Sequence, residues 1–86
     1  MASHDKHRII CSRVAQLLRE LREAKKLSMN QVAERSGLSQ QMVSYVERGM
    51  RNPTLETLLR MTAALDADLS SVIQKASKAV TKRAGK

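Results

Sequence analysis

Apolar positions along this chain recur at three- and four-residue steps, and no stretch alternates with the two-residue period of a strand. Ile10, Val14, Leu17, Leu18 and Leu21 form one stripe, predicting a first helix that ends near Lys25 and Lys26, where cations suit the C-terminal dipole. Ser28, followed three residues later by Gln31, has the spacing of a capping box. It opens a short second helix over roughly Met29 to Ser36, with Val32, Ala33 and Ser36 on the inner side and Gly37 as the left-handed stop. Ser39 caps a third helix. There Met42, Val43 and Val46 share one side, while Gln40, Gln41, Ser44, Tyr45 and Arg48 share the opposite arc, with Glu47 on the boundary and Gly49 at the end. Asn52 precedes Pro53 and is pushed out of helical geometry. Thr54 caps a fourth helix with Leu55, Leu58, Met61, Thr62 and Leu65 inside, and Asp68 caps a fifth that carries Leu69, Val72 and Ile73. The expectation is an all-α fold of five short helices. Residues 1–8 read as a polar tail, 9–74 as one domain, and 75–86 as a basic tail, helical at its start.

Composition narrows the function. With 86 residues and 42% hydrophobic positions, one domain with a modest core is expected. Tyr45 is the only aromatic residue, so the core must be aliphatic, and no base-stacking platform for single strands is available. The formal net charge of +8 points to a polyanion partner. Cys11 is the only cysteine, which excludes an intramolecular disulfide and a cysteine-based metal site and suits a reducing cytosol. No run of apolar residues is long enough to span a membrane, and the first residues lack the apolar stretch of a signal peptide. His4 and His7 stand three apart without a carboxylate or thiol to complete a metal set. No nucleophile–base pair or phosphate-cradling glycine loop is present, so no enzyme, cofactor or metal is expected.

The second and third helices carry the most information. A short helix, a glycine turn and a helix with a polar outer arc is a helix-turn-helix pattern. Ala33 must be small where the two helices cross, Gly37 occupies a turn where a side chain would clash, and Val43 and Val46 wedge the second helix against the first. The stretch "LRELREAKKLSMNQVAERSGLSQQMVSYVERGMRNPTLETLLRMTAALDADLSSVI", Leu18 to Ile73, resembles the XRE-like helix-turn-helix family of Cro and lambda-type repressors. The resemblance rests on "QVAERSGLS", "VSYVERG" and "NPTLETLLRMTAAL" and implies a compact lambda-repressor-like DNA-binding domain.

In that family the helix beginning near Ser39 enters the DNA major groove. The resemblance therefore implies base reading by Gln40, Gln41 and Tyr45, since glutamine bonds bidentately to adenine N6 and N7. It implies phosphate contacts from Ser39, Ser44, Arg48, Arg51 and Asn52, with Arg35 a further candidate. The start of the second helix often supplies an amide to phosphate in this family. Here Met29 stands in that place and cannot donate, leaving Asn30 or Gln31 to substitute. Arg22 and Glu47 match an arginine–glutamate pair that fixes the recognition helix against the first helix.

Two function classes compete. The first is a transcriptional regulator that binds double-stranded DNA as a homodimer, on half-sites about 34 Å apart. Its dimer surface would come from the fourth and fifth helices and the C-terminal segment, with Leu69, Val72, Ile73, Ala76 and Val80 offering apolar area, unless Leu69 and Val72 complete the monomer core instead. Small restriction–modification controllers and compact phage-type repressors are two forms of this reading. It implies a cytoplasmic, nucleoid-associated protein with no small-molecule ligand. The second class is a protein-interaction module, such as an antitoxin with autoregulatory DNA binding.

Overall fold

The computed structural model describes residues 2–50 and 52–84, with side chains described over 6–50 and 52–78. Five helices follow in order: α1 Ala2–Ala24, α2 Met29–Ser36, α3 Gln40–Glu47, α4 Leu55–Ala64 and α5 Leu69–Ala84. There is no strand among the described residues. α1 packs against α5 and α3, α2 against α3 and α4, and α4 against α5. The radius of gyration is 12.9 Å, against about 12 Å for a compact chain of this length. The 23-residue α1, roughly 35 Å long at 1.5 Å per residue, accounts for the longest dimension of 40 Å.

Both ends differ from the predicted boundaries. Residues 2–8 belong to α1 rather than to a tail, and the backbone beyond 75 continues α5 to Ala84. The apolar stripe locates the part of a helix that packs, but once a helix is nucleated each added residue gains a hydrogen bond at small cost. Polar flanking residues are therefore carried along.

The core is aliphatic, as the composition requires. Leu18, Val32, Val43, Met61 and Leu65 are fully buried, and Val14, Ala33, Val46, Val72 and Ala76 complete the cluster. Two expectations about the last helices fail. Leu55, placed inside by periodicity, is 64% exposed, because it is the first residue of α4 and lies beyond the reach of the core. Leu69 and Val72 complete the core of the single chain, the alternative left open for them, while Ala76, offered as dimer surface, is buried as well. Val80 lies outside the described side chains.

Local signals set the joints. The capping box at Ser28 is complete: Oγ accepts from the Gln31 N–H at 3.0 Å, and Gln31 Oε1 accepts from the Ser28 N–H at 2.8 Å. Ser39 and Thr54 cap α3 and α4 through their hydroxyl oxygens, which accept from Met42 and Thr57 N–H groups at 3.0 and 3.1 Å. Each of the first four helices closes with an N–H to a carbonyl five residues back: Leu27 to Arg22, Leu38 to Ala33, Met50 to Tyr45 and Ala67 to Thr62. The residue before each of these donors is left-handed. It is Gly37 and Gly49 in two cases, but Lys26 and Asp66, both at φ 58°, in the others.

Candidate nucleic-acid interface

α3 has two faces with opposite character. On the inner face Val43 and Val46 are buried in the core, and Met42 packs against it. Glu47, expected on the boundary, is buried as well. Its carboxylate accepts from Arg22 Nε at 2.7 Å and Nη2 at 3.1 Å, a fork-to-fork pair whose side chains are 12% and 1% exposed. Arg22 Nη1 also donates to the Leu27 carbonyl at 2.9 Å. The hydrogen bond to Glu47 chiefly holds the guanidinium pKa above its ordinary value, with burial opposing it. One ion pair thus ties α1, the α1–α2 turn and the end of α3 together, as the predicted Arg22–Glu47 pairing requires.

On the outer face Gln40 and Gln41 are exposed and Tyr45 and Ser44 are half-buried. Gln41 Nε2 donates to the Tyr45 hydroxyl at 2.8 Å, and the Arg48 guanidinium lies 5.9 Å from the centre of the Tyr45 ring, within cation–π range. Gln41, Tyr45 and Arg48 therefore form one stacked row on the helix surface. Ser39 sits at its head as N-cap, its hydroxyl oxygen engaged by the Met42 N–H. Asn52 is exposed just beyond α3. Arg35 stands exposed in the last turn of α2, on the other side of the Gly37 turn. Arg51 lies outside the described residues. Met29 is half-buried and packs against the core, while Asn30 is exposed and Gln31 gives its carbonyl oxygen to the capping box.

The turn that sets α3 relative to α2 is held by a residue the periodicity did not single out. Arg60, on α4, donates from Nη1 to the Ser36 carbonyl at 3.3 Å, placing a cation at the C-terminus of α2. Its Nε and Nη2 bond Glu56 at 3.2 and 2.9 Å. The Glu56–Arg60 spacing of four was legible as a helix pair, but the reach to Ser36 depends on how α4 docks. Gly37 has φ 76°, and a Cβ there would meet only Arg60 Nη1, at 3.1 Å. Gly37 is the left-handed stop expected of it, and the side chain that a Cβ would crowd in the turn is the flexible end of Arg60. Ala33, 5% exposed, does sit where α2 is buried in the bundle.

Among the described residues, no cluster of His, Cys, Asp and Glu could hold a metal ion, and no helix is long and apolar enough to cross a membrane. Cys11 is exposed and unpaired.

Known proteins resemble this chain in sequence and fold. The helix-turn-helix family HTH_3 matches residues 18–72, which contain all of α2, α3 and α4. An uncharacterized HTH-type transcriptional regulator of Sinorhizobium fredii is 44% identical over 61 residues, covering 71% of this chain and 74% of that protein. A second regulator from the same organism is 41% identical over 56 residues, 65% of this chain, but the match spans only 29% of its length. Among solved structures, the restriction-modification controller protein C.AhdI from Aeromonas hydrophila superposes with a TM-score of 0.68 at 41% identity, covering 73% of this chain and 94% of the controller.

Proposed function

The chain belongs to the HTH_3 helix-turn-helix family, and on that premise we propose that it is a transcriptional regulator that reads double-stranded DNA as a homodimer on a palindromic operator, with α3 in the major groove. The observation that carries this reading is the division of α3: an inner face buried and pinned by Arg22–Glu47, and an outer row of Gln41, Tyr45 and Arg48 beside an exposed Gln40.

The row suits base reading chemically. A glutamine amide has two N–H donors and one acceptor oxygen. The bond to Tyr45 engages one donor of Gln41. The second donor and Oε1 remain, and these are the pair that matches adenine N7 and N6. Tyr45 thus acts on Gln41 as well as on DNA, by limiting the rotation of the amide. Around this row, Ser39, Ser44, Arg48, Arg51, Asn52 and Arg35 are assigned to phosphate, which positions the helix without reading sequence. The net charge of +8 favours this binding at low salt.

A single such helix reads few base pairs, so two half-sites are needed. The dimer surface is assigned to the last two helices and the C-terminal segment, where Leu55 and Leu59, one turn apart on α4, are 64% and 50% exposed. These replace Leu69, Val72 and Ala76, which serve the core. The likeness to a restriction-modification controller makes a controller of that kind the most specific form of the proposal. Selection from a random duplex library at physiological salt tests it. The expected product is a palindrome with half-sites about one helical turn apart. Binding without enrichment would instead assign the protein to charge-driven, sequence-independent binding.

A further inference from the structure

A groove of about 740 Å³ lies between the middle of α1, the end of α3 and the α3–α4 connection, with Leu58 and Ile73 on its wall. That volume is within the ~300–1,000 Å³ range of small-molecule sites. Eight of its lining residues, 8–15, precede the family-matched stretch that begins at residue 18. The helix-turn-helix reading therefore leaves most of the groove unexplained.

The lining is apolar and one-signed in charge. Ile9, Ile10 and Leu58 contribute aliphatic surface, and the charged groups among the described lining residues are Arg8, Arg13 and Arg48. Among the described residues, no Asp or Glu lines it. Arg13 donates from Nη1 to Gln16 Oε1 at 2.9 Å, while its Nε is buried without a hydrogen-bond partner. With Nε buried and Nη1 engaged, Nη2 is the Arg13 donor left for a ligand, beside the exposed Arg8 and Arg48. A phosphodiester would satisfy the arginines but has no apolar body for the aliphatic wall. An uncharged apolar molecule would fill the wall and leave the guanidinium groups unanswered.

We propose that this groove binds an amphipathic carboxylate, with the chemistry of a medium-chain fatty acid: the hydrocarbon lies along Ile9, Ile10 and Leu58, and the carboxylate meets the guanidinium groups of Arg8 and Arg13. Arg48 both lines the groove and ends the outer row of α3. Occupancy therefore competes with the phosphate contact assigned to Arg48, which makes the ligand an antagonist of DNA binding. That consequence rests on the DNA-reading proposal; the binding itself does not.

The test uses the full chain, 15N-labelled, titrated with sodium decanoate below its micelle concentration. Octyl glucoside serves as an uncharged amphiphile and inorganic phosphate as an anion without a tail. Saturable one-to-one shifts confined to residues 8–15, 46–49 and the neighbourhood of Ile73 are expected, with neither comparator reproducing them. Arg13→Met should weaken binding at least tenfold, and the exposed-site variant Arg8→Met, which is not needed for packing, should weaken it several-fold. Absence of saturable shifts, equal binding of octyl glucoside, loss of binding on dimerisation, or unchanged affinity in both variants would overturn the site. Decanoate that binds as described yet leaves the affinity for a selected operator unchanged would overturn the antagonism alone. Failure of the chain to bind any DNA would count against the regulator reading and leave the site standing.

Discussion

The two faces of α3 differ in every physical respect that matters for function. The inner face is aliphatic, buried and closed by a doubly hydrogen-bonded ion pair. The outer face is polar, with Gln41 hydrogen-bonded to Tyr45 and the Arg48 guanidinium set over the Tyr45 ring. Eight residues thus carry two separable tasks: one face fixes where the helix sits, and the other offers amide and hydroxyl groups to whatever it meets. Substitutions on the inner face should change stability, and those on the outer face should change recognition while leaving the fold intact.

The largest effect should come from breaking the inner face. Glu47→Ala leaves the Arg22 guanidinium largely buried without its carboxylate and should lower unfolding free energy by about 3 kcal/mol, the range for a buried pair broken on one side. Urea titration measures this, and a loss below about 1 kcal/mol would mean the pair is not what holds α3. The raised pKa of Arg22 predicts no pH signature in the ordinary range. A cation whose folded pKa is raised stabilises below its unfolded value and loses that contribution only as pH rises through the folded one, which here is strongly alkaline.

On the outer face, Gln41→Ala should move stability by less than about 0.5 kcal/mol and reduce discrimination at one base pair by roughly 1–3 kcal/mol. A melting curve paired with a repeat of the library selection reads both. A destabilised variant with unchanged preference would reverse the roles of the two faces. Between the faces lies the turn. Gly37→Ala places a Cβ at φ 76° and should destabilise by about 1 kcal/mol, with Arg60 yielding because its guanidinium is the end of a flexible chain. The opposite change at the end of α1, Lys26→Gly, relieves a left-handed lysine at φ 58° and should stabilise by about 0.5 kcal/mol, less than the bare steric term because glycine gains entropy in the unfolded chain. A loss of stability there would show that Lys26 contributes more through the helix dipole than it costs in conformation.

The smallest effect concerns the start of α5. Hydrogen bonds from Ser70 and then Ser71 lower the Asp68 pKa. A carboxylate with a lowered folded pKa stabilises above its unfolded value and loses that contribution as pH falls through the folded one. Asp68→Asn should therefore flatten the acid limb of the stability profile below about pH 4 without altering recognition.

How much of this was legible in the sequence depends on the range of the interaction. Ser28 with Gln31, Ser39, Thr54 and Gly37 act within one helical turn, and each was readable at its position. The Arg22–Glu47 pair spans 25 residues and was readable only through the family resemblance. Periodicity marked Leu55, Leu69, Val72 and Ala76 as apolar, but it does not say what covers an apolar face. Three of these are in the core of the single chain and one is on its surface. The reach of Arg60 to Ser36 and the left-handed Lys26 and Asp66 carried no signal: the first depends on helix docking, and the others occupy a conformation usually left to glycine. The Gln41–Tyr45–Arg48 row lay on one arc in the sequence, but the bond that orients the Gln41 amide belongs to side-chain geometry.

The measurement that tests the central claim most directly is a double-mutant cycle across the protein–DNA boundary. Wild-type protein and Gln41→Ala are titrated against the selected operator and against the same duplex with the assigned adenine replaced, at fixed physiological salt. If Gln41 reads that base, the replacement should weaken wild-type binding about tenfold or more and leave the binding of the variant unchanged. An equal loss in both proteins would show that the base is read elsewhere and that the outer face of α3 does not carry the sequence information.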